Sequence, residues 1–234
     1  MTWLAWTTFA VALLLAAVRI PAARRGENRL MLVLFLLFAA AILLSIKGPY
    51  LAIDAVIGGI NLTNLVLRFI IYAVCLLLAV RIARAFGAYR AERALLGPFG
   101  LAALGLVGAG TVASFLLMDQ AASSVGLRAL DGDPWLDVYG ALGRLYPTFT
   151  GIVLLPALVG AARTRGRAVL RTAAALLAGG YALLALTNTF ILMPPGWTPV
   201  MQTMNYGTLL LLFGGLGVIW LASLQDRRAR TAKA

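Results

Sequence analysis

The sequence contains no histidine and a single cysteine, Cys75. Without histidine, bis-histidine haem binding, histidine-ligated zinc and a histidine general base are all excluded. One cysteine cannot form an internal disulfide or a thiolate cluster. The lysines, Lys47 and Lys233, both lie outside the long apolar runs, so a retinal Schiff base within a span is excluded as well. We therefore predict no metal and no cofactor.

Charged residues are also scarce. They make up 12% of the 234 residues, whereas 62% of the residues are hydrophobic. Soluble domains are about half apolar and about a quarter charged, and a chain of this size cannot cover a soluble fold with so few charges. The high apolar content excludes a disordered chain. The composition predicts an all-α, polytopic membrane protein.

Seven apolar stretches have about the length that a bilayer requires of a helix. They lie roughly at residues 2–20, 30–46, 62–85, 97–118, 139–162, 169–193 and 204–223. The stretch 48–60 is partly apolar, too short to span and broken by glycine, so we predict an interfacial helix at about 50–58. No linker separates folded parts, and residues 1–234 are expected to form a single seven-helix transmembrane bundle.

The basic residues are distributed unevenly among the loops. Four lie at or after the end of the first span, four at or after the end of the third, four around the junction of the fifth and sixth, and four close the chain, whereas the opposite loops hold Lys47 and Arg128. By the positive-inside rule, this places the amino terminus outside and the carboxyl terminus in the cytoplasm of a plasma-membrane protein. Anionic membrane lipids account for the net charge of +12, so we predict no nucleic-acid partner.

Two arginines stand out within predicted spans, because each lies about two turns in from the outer face: Arg68 in the third span and Arg144 in the fifth. An arginine keeps its proton, so within a membrane it needs an anion, carbonyl groups or water. We expect both to face the bundle interior and to converge with Asp54 or Asp119. They either form internal ion pairs or create a site for an anionic ligand, such as a carboxylate or a phosphate headgroup.

Neutral polar residues occur at a similar depth in the outer halves of four predicted spans, while the inner halves are mostly apolar. The candidate ligand-binding residues, besides the two arginines and Asp54, are Asn61, Asn64, Tyr146, Asn188 and Asn205. This asymmetry predicts a polar cavity that is open to the outside and closed toward the cytoplasm. Its ligand would be an anionic or amphipathic small molecule. The oligomeric state stays open.

Two local patterns make structural predictions. Asp133-Pro134 is typical of an N-cap followed by proline at the first helical position. Gly105, Ala109 and Ala113 have the four-residue spacing that allows close helix packing, which predicts an internal helix contact.

Three classes of function are compatible with these features. The first is a ligand-binding, sensory or transport-related membrane protein that uses the outer cavity. The second is a membrane-embedded enzyme acting on a lipid or isoprenoid, similar in size to small terpene cyclases. Its acids would be Asp54 and Asp119, because no acid lies in the deep half of any span. The third is a structural or accessory subunit whose polar groups serve packing.

One stretch resembles a known group. Residues Pro49 to Asp54 (PYLAID) and Gly58 to Asn64 (GGINLTN) resemble the Ile/Leu-Asp pair, glycine and Asn-Leu dipeptide of a poorly characterised group of actinobacterial multi-pass membrane proteins described as transporters. The Leu170-Arg171 start of the sixth span is also similar. The resemblance covers about residues 30–190 and implies a multi-pass topology with a transport-related role.

Overall fold

The computed structural model describes residues 2–26, 29–119, 123–130, 132–164 and 167–192. Toward the carboxyl terminus it describes residues 197, 200, 203–204, 207–208, 210–219 and 222. Within these ranges the regular secondary structure is entirely helical. This confirms the all-α class.

The α-helices are α1 (Thr2–Arg24), α2 (Arg29–Ser45), α3 (Lys47–Ile57), α4 (Leu62–Ala85), α5 (Tyr89–Leu96), α6 (Pro98–Leu117), α7 (Pro134–Arg163), α8 (Ala168–Leu186) and α9 (Leu210–Ile219). Two short 3₁₀ segments, Val125–Leu130 and Thr187–Leu192, precede α7 and follow α8. The predicted boundaries of α2 and α4 agree with the structure to within one residue. The predicted interfacial helix corresponds to α3.

Five of the described helices are long and apolar enough to cross a membrane, namely α1 from Ala5, α4, α6, α7, and α8 with its 3₁₀ extension to Thr189. The α2–α3 pair passes the same criterion jointly but is bent by 91° at its junction, and would make a sixth span if counted as one. α9, as described, is shorter than a span. The chain is therefore a helical protein whose apolar segments are those of an integral membrane protein.

The starts of α6 and α7 follow from proline and capping chemistry. Both helices begin at a proline, whose missing N–H is not needed in the first turn. At α7, the carboxylate of Asp133 accepts the backbone N–H of Trp135 at 2.8 Å, which confirms the predicted N-cap. α7 therefore starts at Pro134, five residues before the apolar run that predicted it at 139.

The sequence did not predict α5. This helix of eight residues buries Ala91 and Leu95 and exposes Arg90 and Arg93. It is held to the end of α4 by the ion pair between Arg84 and Glu92, whose Nη2 and Oε1 atoms are 2.7 Å apart. A helix this short carries too few apolar residues to show a helical period in the sequence.

The chain divides into two compact units. Unit 1 comprises Met1–Leu78 and Ala102–Gly143, and unit 2 comprises Ala79–Leu101 and Arg144–Ala234. In unit 1, α1 packs on α2, and α3 contacts the segment Val125–Leu130. A buried cluster formed by Phe115, Met118, Leu127, Leu130 and Tyr139 lies in the same unit.

In unit 2, glycines allow close packing between helices. A Cβ atom at Gly151 of α7 would overlap the ring of Tyr181 on α8. Likewise, Gly180 of α8 faces Leu212 of α9, and Gly215 of α9 faces Leu177 of α8. These contacts join α7, α8 and the described part of α9 through small residues, as is common between membrane helices.

The predicted packing role of Gly105, Ala109 and Ala113 is wrong. All three are exposed on α6 within unit 1. The close contacts of this helix use other glycines: Cβ atoms at Gly108 and Gly110 would lie 3.2 Å from Phe69 and 3.3 Å from Leu142. Because α6 is apolar on all sides, residue spacing does not reveal which face is buried.

Candidate functional site

The turn between α3 and α4 is organised by the backbone of Asp54. Its carbonyl oxygen accepts the N–H of Gly58 and, at 2.7 Å, the N–H of Gly59. Gly58 and Gly59 have φ angles of +132° and +69°, a region that favours glycine. The two glycines of the GGINLTN stretch therefore end α3 and reverse the chain toward α4.

The side chain of Asp54 caps the N-terminal end of α4. Its Oδ2 atom accepts the N–H of Asn61 at 2.9 Å, and its Oδ1 atom accepts the N–H of Thr63 at 2.8 Å. The hydroxyl of Ser123 donates a further hydrogen bond to Oδ2. Asp54 has no exposed surface. The carboxylate therefore supplies the capping interaction of a helix that starts eight residues later, where the N-terminal end of the helix favours a negative charge.

Asn61 and Asn64 extend this network to other elements. The side-chain oxygen of Asn61 accepts the N–H of Ser124 at 2.7 Å and the hydroxyl of Tyr50 at 3.2 Å. The side-chain oxygen of Asn64 accepts the hydroxyl of Tyr139 at 2.9 Å. The network joins α3, α4, the segment before Val125 and α7 within unit 1. Three predicted ligand-binding residues, Asp54, Asn61 and Asn64, thus come together, and each makes internal hydrogen bonds.

Arg68 lies one turn further along α4. Its guanidinium carbon is 4.8 Å from the centre of the Tyr139 ring. It also lies against the backbone of Gly143, where a Cβ atom would overlap the guanidinium group. Arg68 is therefore positioned between α4 and α7, as predicted for an inward-facing arginine.

The predicted pairing of Arg68 with an aspartate is not formed. Asp54 is occupied by Ser123 and two backbone N–H groups, and Asp119 is exposed with its own N–H donated to Asp133 at 3.0 Å. Within the described ranges, no carboxylate forms an ion pair with Arg68. The pairing fails because the turn after α3 directs the carboxylate toward the start of α4, where backbone N–H groups take up its acceptors.

A second tyrosine, Tyr72, lies on α4 one turn after Arg68. The hydroxyl of Tyr72 lies 2.9 Å from Oγ1 of Thr111 on α6 and donates to the carbonyl of Leu142 on α7 at 3.2 Å. Tyr72 and Tyr139 are both fully buried. Arg68 is thus placed among uncharged aromatic and backbone groups.

The remaining predicted residues lie in unit 2. The amide of Asn188 donates to Oγ1 of Thr148 at 2.8 Å and to the carbonyl of Ala185 at 3.0 Å. Tyr146 is buried and stacks on Phe149 with a centroid distance of 6.0 Å. Arg144 is partly buried, and its convergence with an aspartate stays a prediction. Asn205 lies outside the described residues.

Sequence reasoning missed Tyr50 and Ser123, which join the Asp54 and Asn61 network. It also missed Tyr72, Tyr139 and Gly143, which lie near Arg68. A signal for two of them was present. Tyr139 and Gly143 are four residues apart, so on α7 they share one face. Ser123 carries no comparable signal, because its partner lies 69 residues earlier in the chain.

The arrangement limits the chemistry available to Asp54. A general acid or base must reach the reacting group, and here both carboxylate oxygens already accept hydrogen bonds inside the protein. In the part of the chain that the structure describes, no three His, Cys, Asp or Glu side chains are grouped as metal ligands. Within the described residues, Arg68 lies over the ring of Tyr139 and forms no ion pair with a carboxylate.

Comparison with known proteins identifies no relative: the chain matches no protein-family model, no curated protein and no solved structure.

Proposed function

We propose that the protein is a plasma-membrane protein of seven spans that binds an anionic group at Arg68. The ligand enters from the outer side, and its carboxylate or phosphate contacts the guanidinium. The role is ligand-binding in a sensory or transport-related sense, in agreement with the resemblance to actinobacterial membrane proteins described as transporters. The amino terminus is outside and the carboxyl terminus is cytoplasmic.

The observation that carries this proposal is the environment of Arg68. Within the described residues its charge is met by the face of Tyr139 and not by a carboxylate. A cation–π contact contributes about 0.5–2 kcal/mol, whereas a charge held within a membrane span costs several kcal/mol without an anionic partner. A guanidinium has five N–H donors in a fixed fork that suits carboxylate and phosphate groups. An external anion would complete this site.

The hydrogen-bond network beside Arg68 supports the same reading. The carboxylate of Asp54 is held by three donors at the start of α4 and is not paired with Arg68. Tyr139 is fixed by Asn64, so the ring under the guanidinium has a defined orientation. A preorganised cation needs little further ordering when a ligand binds, and this favours affinity.

A structural role is the second candidate, and a specific observation favours it. Asp54, Asn61, Asn64 and Asn188 are all engaged in hydrogen bonds within their own unit. If Arg68 also serves packing alone, its role is limited to the packing contact with Tyr139.

Thermal unfolding of the purified protein in a neutral detergent separates the two candidates. Octyl phosphate and octanoate are the anionic probes, and octanol is the uncharged control. We expect both anions, but not octanol, to raise the midpoint of unfolding of the native protein. Arg68→Ala should weaken anion binding about 10- to 100-fold, which corresponds to the loss of a hydrogen bond to a charged group.

The matched control is Arg19→Ala. Arg19 also lies over an aromatic ring, that of Phe35, at 5.1 Å, but on the side predicted to be cytoplasmic. This variant should keep the full response to anions. If Arg68→Ala does not fold, Arg68→Lys replaces it, since lysine keeps the charge but loses the fork and should bind more weakly. The binding proposal is overturned if the native protein does not respond, or if the arginine variants respond as strongly as it does. If Arg68→Ala lowers the midpoint of unfolding while the native protein shows no response to anions, the structural role is established.

A further inference from the structure

Unit 2 contains an open groove of about 780 Å³ between α5 and α7. Small-molecule sites commonly occupy about 300–1,000 Å³. Ala91 and Ala94 of α5 form one wall, and Ile152, Val153 and Pro156 of α7 form the other. Both walls are apolar. Ile152 is 58% exposed, and it lies on α7, which is one of the helices that can span a membrane. The groove is therefore lined like a site for a hydrocarbon chain.

A positive charge lies at this groove. Arg90, in the first turn of α5, is part of the lining and is exposed. The acid of the same helix, Glu92, is paired with Arg84 through its Oε1 atom. The neighbouring Tyr89 is 75% exposed, and tyrosine is enriched where a membrane meets water. Charge and apolar surface thus occur together in the groove.

We propose that this groove binds one anionic phospholipid, with an acyl chain against α7 and the phosphate at Arg90. An apolar trough with a cation beside it complements the two parts of such a molecule. A soluble anion would use the arginine but leave the apolar walls unfilled. In the proposed topology this groove faces the cytoplasmic leaflet, which carries anionic lipid. The site differs from the Arg68 site in its arginine, in its helices and in the compact unit to which it belongs.

Native mass spectrometry of the full chain in mild detergent measures the lipid that stays bound. The probes are dioleoyl phosphatidylglycerol and dioleoyl phosphatidylcholine, which have the same acyl chains and differ in net charge. We expect the native protein to retain one phosphatidylglycerol in preference to phosphatidylcholine. Arg90→Gln should lower this preference about fivefold, the contribution of one basic residue near a membrane surface.

Two further variants define the site. Arg93→Gln removes a charge from the same exposed helix but lies outside the groove lining, so it should keep the preference. Ala94→Phe fills the groove and should reduce retention of both lipids. The proposal is overturned if Arg90→Gln retains phosphatidylglycerol like the native protein, if Arg93→Gln loses the preference to the same extent, or if Ala94→Phe has no effect.

The two arginine sites give separable results. Arg68→Ala should keep the phosphatidylglycerol preference while losing the Arg68-dependent response to octyl phosphate. Arg90→Gln should do the reverse. These measurements can therefore contradict one proposal without affecting the other.

Discussion

The guanidinium of Arg68 occupies the space that a side chain at position 143 would fill. A Cβ atom built on Gly143 would come within 2.5 Å of Cζ of Arg68. One turn earlier on α7, Tyr139 presents its ring to the same guanidinium at 4.8 Å. Gly143 thus provides the room and Tyr139 the aromatic surface, and both are supplied by a single helix face.

Gly143→Ala tests this relationship. The atoms in the way belong to the flexible end of Arg68, so we expect the guanidinium to move off the Tyr139 ring without unfolding the protein. Alanine favours a helix over glycine by about 1 kcal/mol, which offsets a cation–π contact of similar size. Stability should therefore change little, while the stabilisation by octyl phosphate is lost. Gly160→Ala, on the same helix with open space around it, should leave that response intact. An unchanged response in Gly143→Ala would contradict the assigned position of Arg68.

Asp54→Asn should destabilise the protein. Both carboxylate oxygens accept hydrogen bonds, and in asparagine an NH₂ group would face donors in place of one of them. A buried donor left unsatisfied costs about 1–3 kcal/mol. Asp119→Asn is the control, because Asp119 is exposed and such surface changes usually stay within about 0.5 kcal/mol.

Thermal unfolding of both aspartate variants in detergent gives the comparison. Equal midpoints for Asp54→Asn and the native protein would show that the carboxylate is not needed to begin α4. An Asp54→Asn variant that folds normally but loses a lipid-modifying activity would instead support the enzyme hypothesis.

Gly151→Ala should weaken the packing of α7 on α8. The added Cβ atom would lie 3.0 Å from Cγ and 3.1 Å from Cβ of Tyr181, atoms close to the backbone that cannot easily move away. Overpacking of this kind costs typically about 1–3 kcal/mol. The lowered unfolding midpoint is measured against Gly160→Ala, where the added methyl group meets nothing within 4 Å. Similar midpoints for the two variants would mean that α7 and α8 are not in close contact at Gly151.

The predicted topology is tested with reporter fusions. A fusion after residue 95 and a fusion after residue 234 should both read as cytoplasmic, because each follows a basic cluster that the positive-inside rule retains on that side. A periplasmic signal at either position would contradict the orientation and the side assigned to Arg68.

The helices that could be predicted are those whose length a bilayer dictates. The runs at 30–46 and 62–85 became α2 and α4 almost without change, since a long apolar run has no alternative to a helix in a membrane. Boundaries set by single side chains were less predictable, except where the cap is adjacent in sequence, as Asp133 is to Pro134. α5 was missed because it is short and half polar.

The residues of the site could be predicted better than the contacts that they make. Arg68 was identified because charge is rare within spans, and it faces α7 as expected. Its partner was misjudged because opposite charges at similar depth suggested an ion pair, whereas the backbone at the start of α4 competes for the Asp54 carboxylate. The exposed face of Gly105 was misjudged for a related reason, since a helix that is apolar all round does not show which side faces lipid.

The double use of Asp54 has a consequence for the length of the loop that follows it. Its carbonyl closes the turn at Gly58 and Gly59, and its carboxylate reaches the N–H groups of Asn61 and Thr63. Asp54 therefore fixes the number of residues between the end of α3 and the start of α4. An inserted residue anywhere between Gly59 and Thr63 would move one set of donors out of reach, so this loop should tolerate substitution at Ile60 far better than any change in its number of residues.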